Sequence, residues 1–187
     1  MAGPGCILLR WMGETPLDGH MLERIRGEGE SAFDAPTGLD AVGGLPGGTF
    51  DPRRGQHSST KILRGILASG LPDTATVLGI TDVDLFIPVL TFVFGEAQMG
   101  GRAAVVSLAR LRRTYDDGPA PEAMIERRLL KECLHELGHT FNLAHCGDGA
   151  CVMSRSNSVL DVDRKRPAFC RDCRLRLRAS MEQRETS

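Results

Sequence analysis

Residues that commonly bind metal ions are concentrated in one stretch of this 187-residue chain, positions 135–173. The stretch opens with HELGHTFNLAHC and contains three of the five histidines and four of the six cysteines. His135 and His139 are four positions apart, so on a helix both imidazoles lie on one side and can reach the same metal ion. His145 would lie too far round if that helix simply continued. A fold that brings all three together must therefore supply one helix and a sharp turn directly after it.

Glu136 follows the first histidine and gives this arrangement a chemical role. Three neutral imidazoles leave a fourth position open on zinc, which is typical of a catalytic ion and not of a structural one. The ion would lower the pKa of a bound water from about 16 to about 7 and polarise a substrate carbonyl. Glu136 can lean over the open position and take the proton of that water. The sequence therefore predicts a hydrolase in which Glu136 activates a zinc-bound water.

The four cysteines of the stretch form two closely spaced pairs, Cys146-x4-Cys151 and Cys170-x2-Cys173. Four thiolates at this spacing suit a closed tetrahedral zinc site with no open position, so we expect a structural ion that ties the segment after His145 to the C-terminal tail. Disulfide bonds are the alternative. Because no signal peptide is recognisable, we favour thiols in a reducing compartment. The expectation is two zinc ions per chain, one catalytic and one structural, in a cytoplasmic protein.

The combined pattern resembles the metzincin zinc peptidases, whose motif is HExxHxxGxxH followed by a turn that contains methionine. The added Cys-x4-Cys-x-Met and the distant CxxC make it similar to the archaemetzincins in particular. The resemblance implies a zinc-dependent metallopeptidase, with Met153 as the methionine of the turn, an apolar floor beneath the histidines. Asn142 occupies the position of the family's glycine. Asparagine tolerates the left-handed backbone conformation at a cost of about 1 kcal/mol, so we expect the turn toward His145 to form.

Length and composition fit an ordinary globular protein, with 41% hydrophobic residues, 25% charged residues and a formal net charge of -1. We expect a single domain over residues 1–187, made of an N-terminal subdomain (1–142) that ends in the active-site helix and a C-terminal subdomain (143–187) tied by the structural zinc. No apolar run reaches the roughly 18 residues of a membrane span. The expected partner is a peptide or protein substrate of a monomeric enzyme, with no membrane partner.

Apolar periodicity predicts the order of the elements in an α/β (α+β) fold. Strands are expected at residues 6–12, 76–84, 91–97 and 103–109. Helices are expected at residues 16–28, from Ser58 or Ser59 to Gly70, and at 121–141. Gly27 and Gly29 are read as the end of the first helix. A short strand is expected near 32–35, within a loop that reaches residue 50, and little regular structure is expected between 154 and 169.

The resemblance further implies a twisted mixed sheet with one antiparallel edge strand that lines the upper rim of the substrate cleft. Its place in the chain assigns this strand to six consecutive residues: Thr91, Phe92, Val93, Phe94, Gly95 and Glu96. The unpaired N–H and C=O groups of an edge strand can bind an extended peptide by backbone hydrogen bonds. We therefore expect substrate choice to depend only partly on the substrate's sequence.

Two other functions fit parts of the pattern. A non-catalytic zinc protein that binds extended peptides would retain the histidines, but it would not need Glu136. A nucleic-acid-binding zinc module would use the arginines around the last two cysteines. That basic segment is short, Phe169 is the aromatic residue it offers for stacking, and the chain is slightly acidic, so we expect no nucleic-acid partner.

Overall fold

The structure, a computed structural model, describes residues 5–40, 43–70, 72 and 74–185. The strands are β1 (Cys6–Trp11), β2 (Thr37–Leu39), β3 (Phe50–Asp51), β4 (Gln56–Ser58), β5 (Ala75–Thr81), β6 (Leu85–Phe86), β7 (Gly95–Ala97) and β8 (Ala103–Ser107). The helices are α1 (Gly19–Phe33), α2 (Ser59–Leu67), α3 (Glu122–Thr140), α4 (Val159–Arg164) and α5 (Arg171–Glu185). None of the helices in the described part of the chain combines the length and the apolar character needed to cross a bilayer.

A five-stranded mixed sheet forms the centre of the fold, with strand order β2-β1-β5-β8-β7. Neighbouring strands are parallel except β7, which pairs antiparallel with β8 at one end of the sheet. A second sheet of three short strands has the order β3-β4-β6. The mixed α/β fold with one antiparallel edge strand is therefore confirmed.

Helices cover both faces of the five-stranded sheet. Leu78 and Ile80 of β5 belong to the same core as α1 and α3, whereas Val77 packs with α2 on the other face. All seven residues of β5 are buried. Burial on both faces explains why this strand reads as a continuous apolar run and not as an alternating one. The layered core places α3, which carries the first two histidines, against β7 and β8.

The first helix is longer than its sequence indicates. It runs to Phe33, through both glycines that were read as its end, and the expected strand at 32–35 is wrong because those residues close the helix. Gly29 is buried on the face that also carries Ile25 and Phe33, so packing on the sheet outweighs the helix-breaking tendency of glycine. Asp34 ends the helix in the left-handed conformation, with φ of 47°. The expected loop to residue 50 includes Ala41 and Val42, which lie outside the described residues.

Other differences follow from contacts between distant residues. The polar segment before α2 contains the short β3–β4 hairpin, while Ser58 caps α2 as predicted. The segment 154–169 contains the short helix α4, and the arginine-rich tail forms the 15-residue helix α5, which was not expected. The expected strand at 91–97 is regular only in β7. Each of these elements is short or polar, so its periodicity carries little information.

Candidate active site

The last turns of α3 present His135 and His139 to a cleft. Nδ1 of His135 lies 2.8 Å from the carbonyl oxygen of Val152, and Nδ1 of His139 lies 2.7 Å from that of Leu143. Each Nδ1–H donates to its carbonyl oxygen, which leaves Nε2 as the free ring nitrogen with a lone pair. The two Nε2 atoms lie 3.1 Å apart. Two acceptor nitrogens that face each other without a proton between them fit a shared cation.

The turn after α3 brings His145 to the same place. Asn142 has φ of 63°, the left-handed conformation expected at the family's glycine position. Its N–H donates to the carbonyl of His139, and the N–H of Leu143 donates to the carbonyl of Gly138. These two hydrogen bonds form a Schellman motif, which ends the helix and reverses the chain. The ligand nitrogens of the three histidines all lie within 4.8 Å of one another.

The electrostatics of the site favour neutral imidazoles. Burial is the main cause that lowers the pKa of His135 well below its usual value, and burial also lowers the pKa of His139 and His145. The neutral form is the one that binds a metal. Burial raises the pKa of Glu136 well above its usual value, and the nearby carboxylate of Glu132 adds to that shift.

Met153 lies directly beneath this site. Its side chain is fully buried and contacts Gly138, which lies between the two histidines on α3. The carbonyl of Met153 accepts a hydrogen bond of 2.9 Å from the N–H of Cys146, the residue after His145. The methionine is therefore an apolar floor that is also bonded to the returning chain.

The four cysteines of the two pairs form a second cluster whose sulfur atoms all lie within 4.8 Å of one another. All six cysteines of the chain are described, and all are free thiols. The sulfurs of Cys146 and Cys170 are 3.8 Å apart. That separation is close to the sulfur–sulfur edge of about 3.8 Å expected for four Zn–S bonds of about 2.3 Å in a tetrahedron. Backbone N–H groups of Asp148 and Cys170 point at two of the sulfurs, as they do toward thiolates.

The histidines open onto a cleft with a volume of about 590 Å³. All six residues predicted to form the substrate-binding strand line it. Only Gly95 and Glu96 belong to β7, because residues 91–94 form a single bridge from Val93 to Leu85 in place of a regular ladder. β7 is the terminal strand of its sheet, so no strand of the described residues pairs with its outer edge.

A buried ion pair lies at the cleft, and the sequence alone did not indicate it. Nζ of Lys165 lies 3.1 Å from a carboxylate oxygen of Glu132, and both side chains are almost fully buried. Glu132 is one helical turn before Glu136 and also lines the cleft. The one available signal was a second glutamate four residues before Glu136, on the same side of the helix. Its partner is 33 residues away in the chain and no short motif indicates it.

Comparison with known proteins agrees with the geometry of the site. A model of peptidase family M54 matches residues 69–179, which contain both clusters. The chain belongs to peptidase family M54, the archaemetzincins. The archaemetzincin of Methanopyrus kandleri is 50% identical over 126 residues, which cover 63% of this chain and 69% of that protein. The archaemetzincin of Pyrococcus abyssi is 34% identical over 189 residues, covering 95% of this chain and 96% of that protein.

Solved archaemetzincin structures share the fold over nearly the whole chain. A crystal structure of the Methanopyrus kandleri protein superposes with a TM-score of 0.82 at 36% identity and covers 95% of this chain and 96% of that chain. One from Archaeoglobus fulgidus, complexed with malonate, superposes with a TM-score of 0.77 at 34% identity and covers 91% and 99%. As a member of this family, the chain is a zinc metallopeptidase. The resemblance and the enzyme class read from the sequence are confirmed.

Proposed function

We propose that this archaemetzincin hydrolyses peptide bonds at the cleft, with His135, His139 and His145 as the ligands of a catalytic zinc ion. The observation that carries the proposal is the convergence of the ligand nitrogens of three histidines. In the first two, Nδ1 is hydrogen-bonded to a backbone carbonyl. Such carbonyl partners fix the tautomer and the ring orientation of metal ligands. A zinc ion bound there supplies a Lewis acid that polarises the substrate carbonyl and acidifies water.

Glu136 is the general base in this proposal. No hydrogen bond from the described residues occupies its carboxylate, and the side chain lines the cleft. A Cβ atom at Gly95 of β7 would lie 2.7 Å from Cγ of Glu136, so the edge-strand backbone packs directly on this side chain. Burial raises the pKa of Glu136 well above its usual value, which makes the carboxylate a stronger base. Glu136 accepts a proton from the attacking water and then donates a proton to the leaving amine.

The substrate is a peptide in extended conformation that pairs with the outer edge of β7. The cleft walls that follow the edge strand are largely apolar, with Ile87, Leu90, Phe92 and Met99 among the lining residues. Backbone pairing binds the main chain of any extended peptide, while side pockets distinguish its side chains. The proposed substrate is therefore chosen by extended shape first and by sequence second.

A second zinc ion at the four cysteines has a structural role in this proposal. Its ligands come from both sides of α4, so the ion ties the chain after His145 to the start of α5. We propose one domain in which residues 1–142 form the sheet and the active-site helix, and residues 143–187 form a subdomain closed by this ion. Because Cys146 adjoins His145, the two ions stabilise each other's sites.

The proposed mechanism is tested by replacing Glu136 with glutamine in the zinc-loaded protein. Glutamine keeps the size of the side chain but cannot accept the proton, so we expect cleavage of a peptide library to fall by about a hundredfold or more, with zinc content unchanged. Zinc analysis alongside the cleavage profile separates loss of chemistry from loss of metal. Unchanged turnover by Glu136→Gln would rule out the general base, and a wild-type protein that binds peptides without cleaving them would favour the non-catalytic alternative.

A further inference from the structure

One wall of the cleft has a positive charge that nothing in the proposed mechanism uses. Arg155 is the one lysine or arginine among the described residues that line the cleft. The same cleft is lined by three carboxylates, those of Glu96, Glu132 and Glu136. Arg155 is exposed, and it makes no hydrogen bond or ion pair with any described residue. An arginine that is placed at a binding site and left without a partner is available to a ligand.

Three other cations near the cleft already have partners. Lys165 is paired with Glu132, and Arg110 makes two hydrogen bonds of 2.8 Å to the carboxylate of Asp84. Likewise Arg128, on α3, donates from Nε and Nη2 to the two carboxylate oxygens of Asp163. Compared with these residues, Arg155 is the exception.

The backbone that carries Arg155 is well fixed. It follows Met153 by two positions, and the intervening Ser154 donates a 2.9 Å hydrogen bond to the carbonyl of Cys151. Arg155 and His145 line the same cleft. Arg155 is therefore presented from a rigid turn to the neighbourhood of the proposed catalytic zinc.

The next residue also has unused hydrogen-bonding capacity. Oγ of Ser156 is the one buried side-chain polar atom among the described residues without a hydrogen-bond partner. Ser156 lines the cleft beside Arg155. A buried hydroxyl without a partner is unusual in a folded protein, and an ordered water or a bound ligand can supply the partner. Two adjacent residues on one wall thus lack the partners that a bound substrate can supply.

We propose that Arg155 is a specificity-determining residue that binds a carboxylate of the peptide substrate. This proposal rests on the proposed function, because it assigns a substrate class to the same cleft. A guanidinium presents a planar set of donors that matches a carboxylate with two parallel hydrogen bonds. The carboxylate comes either from an acidic side chain or from the C-terminus of a short peptide. In both cases the enzyme prefers a substrate with a negative charge at one fixed distance from the scissile bond.

The test measures peptide binding to the zinc-loaded Glu136→Gln protein, in which bound peptides survive. The probe is an uncharged peptide that contains several glutamines and is acetylated and amidated at its ends. It is compared with the same peptide carrying a free C-terminal carboxylate. It is also compared with a series of amidated peptides in which one Gln at a time is replaced by Glu. We expect one acidic version to bind up to about fivefold more tightly than the neutral one. Arg155→Gln should remove that difference, Arg155→Lys should retain part of it, and Arg155→Glu should reverse it. The peptide version that binds more tightly than the neutral one identifies the source of the carboxylate.

Arg174→Gln is the matched control, because Arg174 is an exposed arginine of α5 that does not line the cleft. It should leave the preference unchanged. Equal binding of all versions overturns the role of Arg155 while the proposed function stands. A preference that persists in Arg155→Gln also overturns it, because the carboxylate then binds elsewhere, for example at the metal. If no peptide binds and the wild-type protein cleaves none, the proposed function fails and this inference fails with it.

Discussion

Gly138 lies directly against the side chain of Met153. A Cβ atom at Gly138 would overlap the sulfur of Met153 and would lie 3.1 Å from its Cε and 3.3 Å from a ring carbon of Phe169. Met153 is fully buried, so it cannot move aside into solvent. The floor beneath the histidines is therefore packed in contact with the helix that carries two of them.

This contact predicts the effect of Gly138→Ala. The added methyl group pushes the methionine turn away from α3, so we expect a loss of about 1–3 kcal/mol in the free energy of unfolding and weaker zinc binding at the histidines. Denaturant unfolding and zinc titration measure the two effects. Gly27→Ala is the control, because nothing lies within 4 Å of its added Cβ and alanine favours a helix by about 0.5–1 kcal/mol. Equal effects of the two substitutions would contradict the packing argument.

The left-handed conformation of Asn142 predicts different results for its replacement by alanine and by glycine. Asn142→Ala should cost about 1 kcal/mol and weaken zinc binding, because alanine avoids φ near 63° and the Schellman motif positions His145. Asn142→Gly should preserve zinc affinity, since glycine adopts this conformation without steric cost. Competition with a chelator gives the zinc affinity of each variant. If alanine and glycine behaved alike, backbone strain at this residue would be irrelevant to the site.

The position of the cysteine cluster predicts that losing its zinc ion also disturbs the histidine site. Cys170→Ser should reduce the zinc content from about two ions per chain to one or fewer, lower the melting temperature and reduce peptidase activity. The reason is that the ion holds Cys146, and Cys146 is covalently next to His145. Zinc analysis, thermal unfolding and cleavage assays report each effect. Cys6→Ser is the matched control, because Cys6 is a free thiol outside the cluster. Full activity and an intact histidine site in Cys170→Ser would refute the coupling.

The buried pair of Glu132 and Lys165 predicts strong non-additivity in stability. Burial raises the pKa of Glu132, and the charge of Lys165 opposes that rise. Replacing one partner leaves the other charge buried alone, so Lys165→Met and Glu132→Gln should each cost about 3–5 kcal/mol. The double variant should cost clearly less than the sum of the two. A double-mutant cycle by denaturant unfolding measures the coupling, and simple additivity would show that the pair does not act as a unit.

Local spacing is sufficient to predict the elements that present the candidate metal ligands. The four-residue spacing of HELGH requires a helix for its histidines to meet, and α3 forms over nearly the range expected. Continuous apolar runs predict β5 and β8, because both faces of these strands are buried. The apolar run of β1 also predicts a strand, although its residues alternate between buried and partly buried. Left-handed Asn142 was also accessible from sequence, since few other residues tolerate that conformation.

Contacts between residues distant in the chain decided the rest. Helix α1 continues past Gly27 and Gly29 because its buried face packs on the sheet. Strand β7 is short because Val93, just before it, pairs with Leu85 and not with β8. The partner of Glu132, and the fact that no described residue pairs with Arg155, are likewise visible only in the folded chain. The sequence by itself determined which residues converge as candidate metal ligands, because helix geometry relates neighbours in the chain. Tertiary structure decided which charges are paired and which remain open to a substrate, because that depends on residues that only folding brings together.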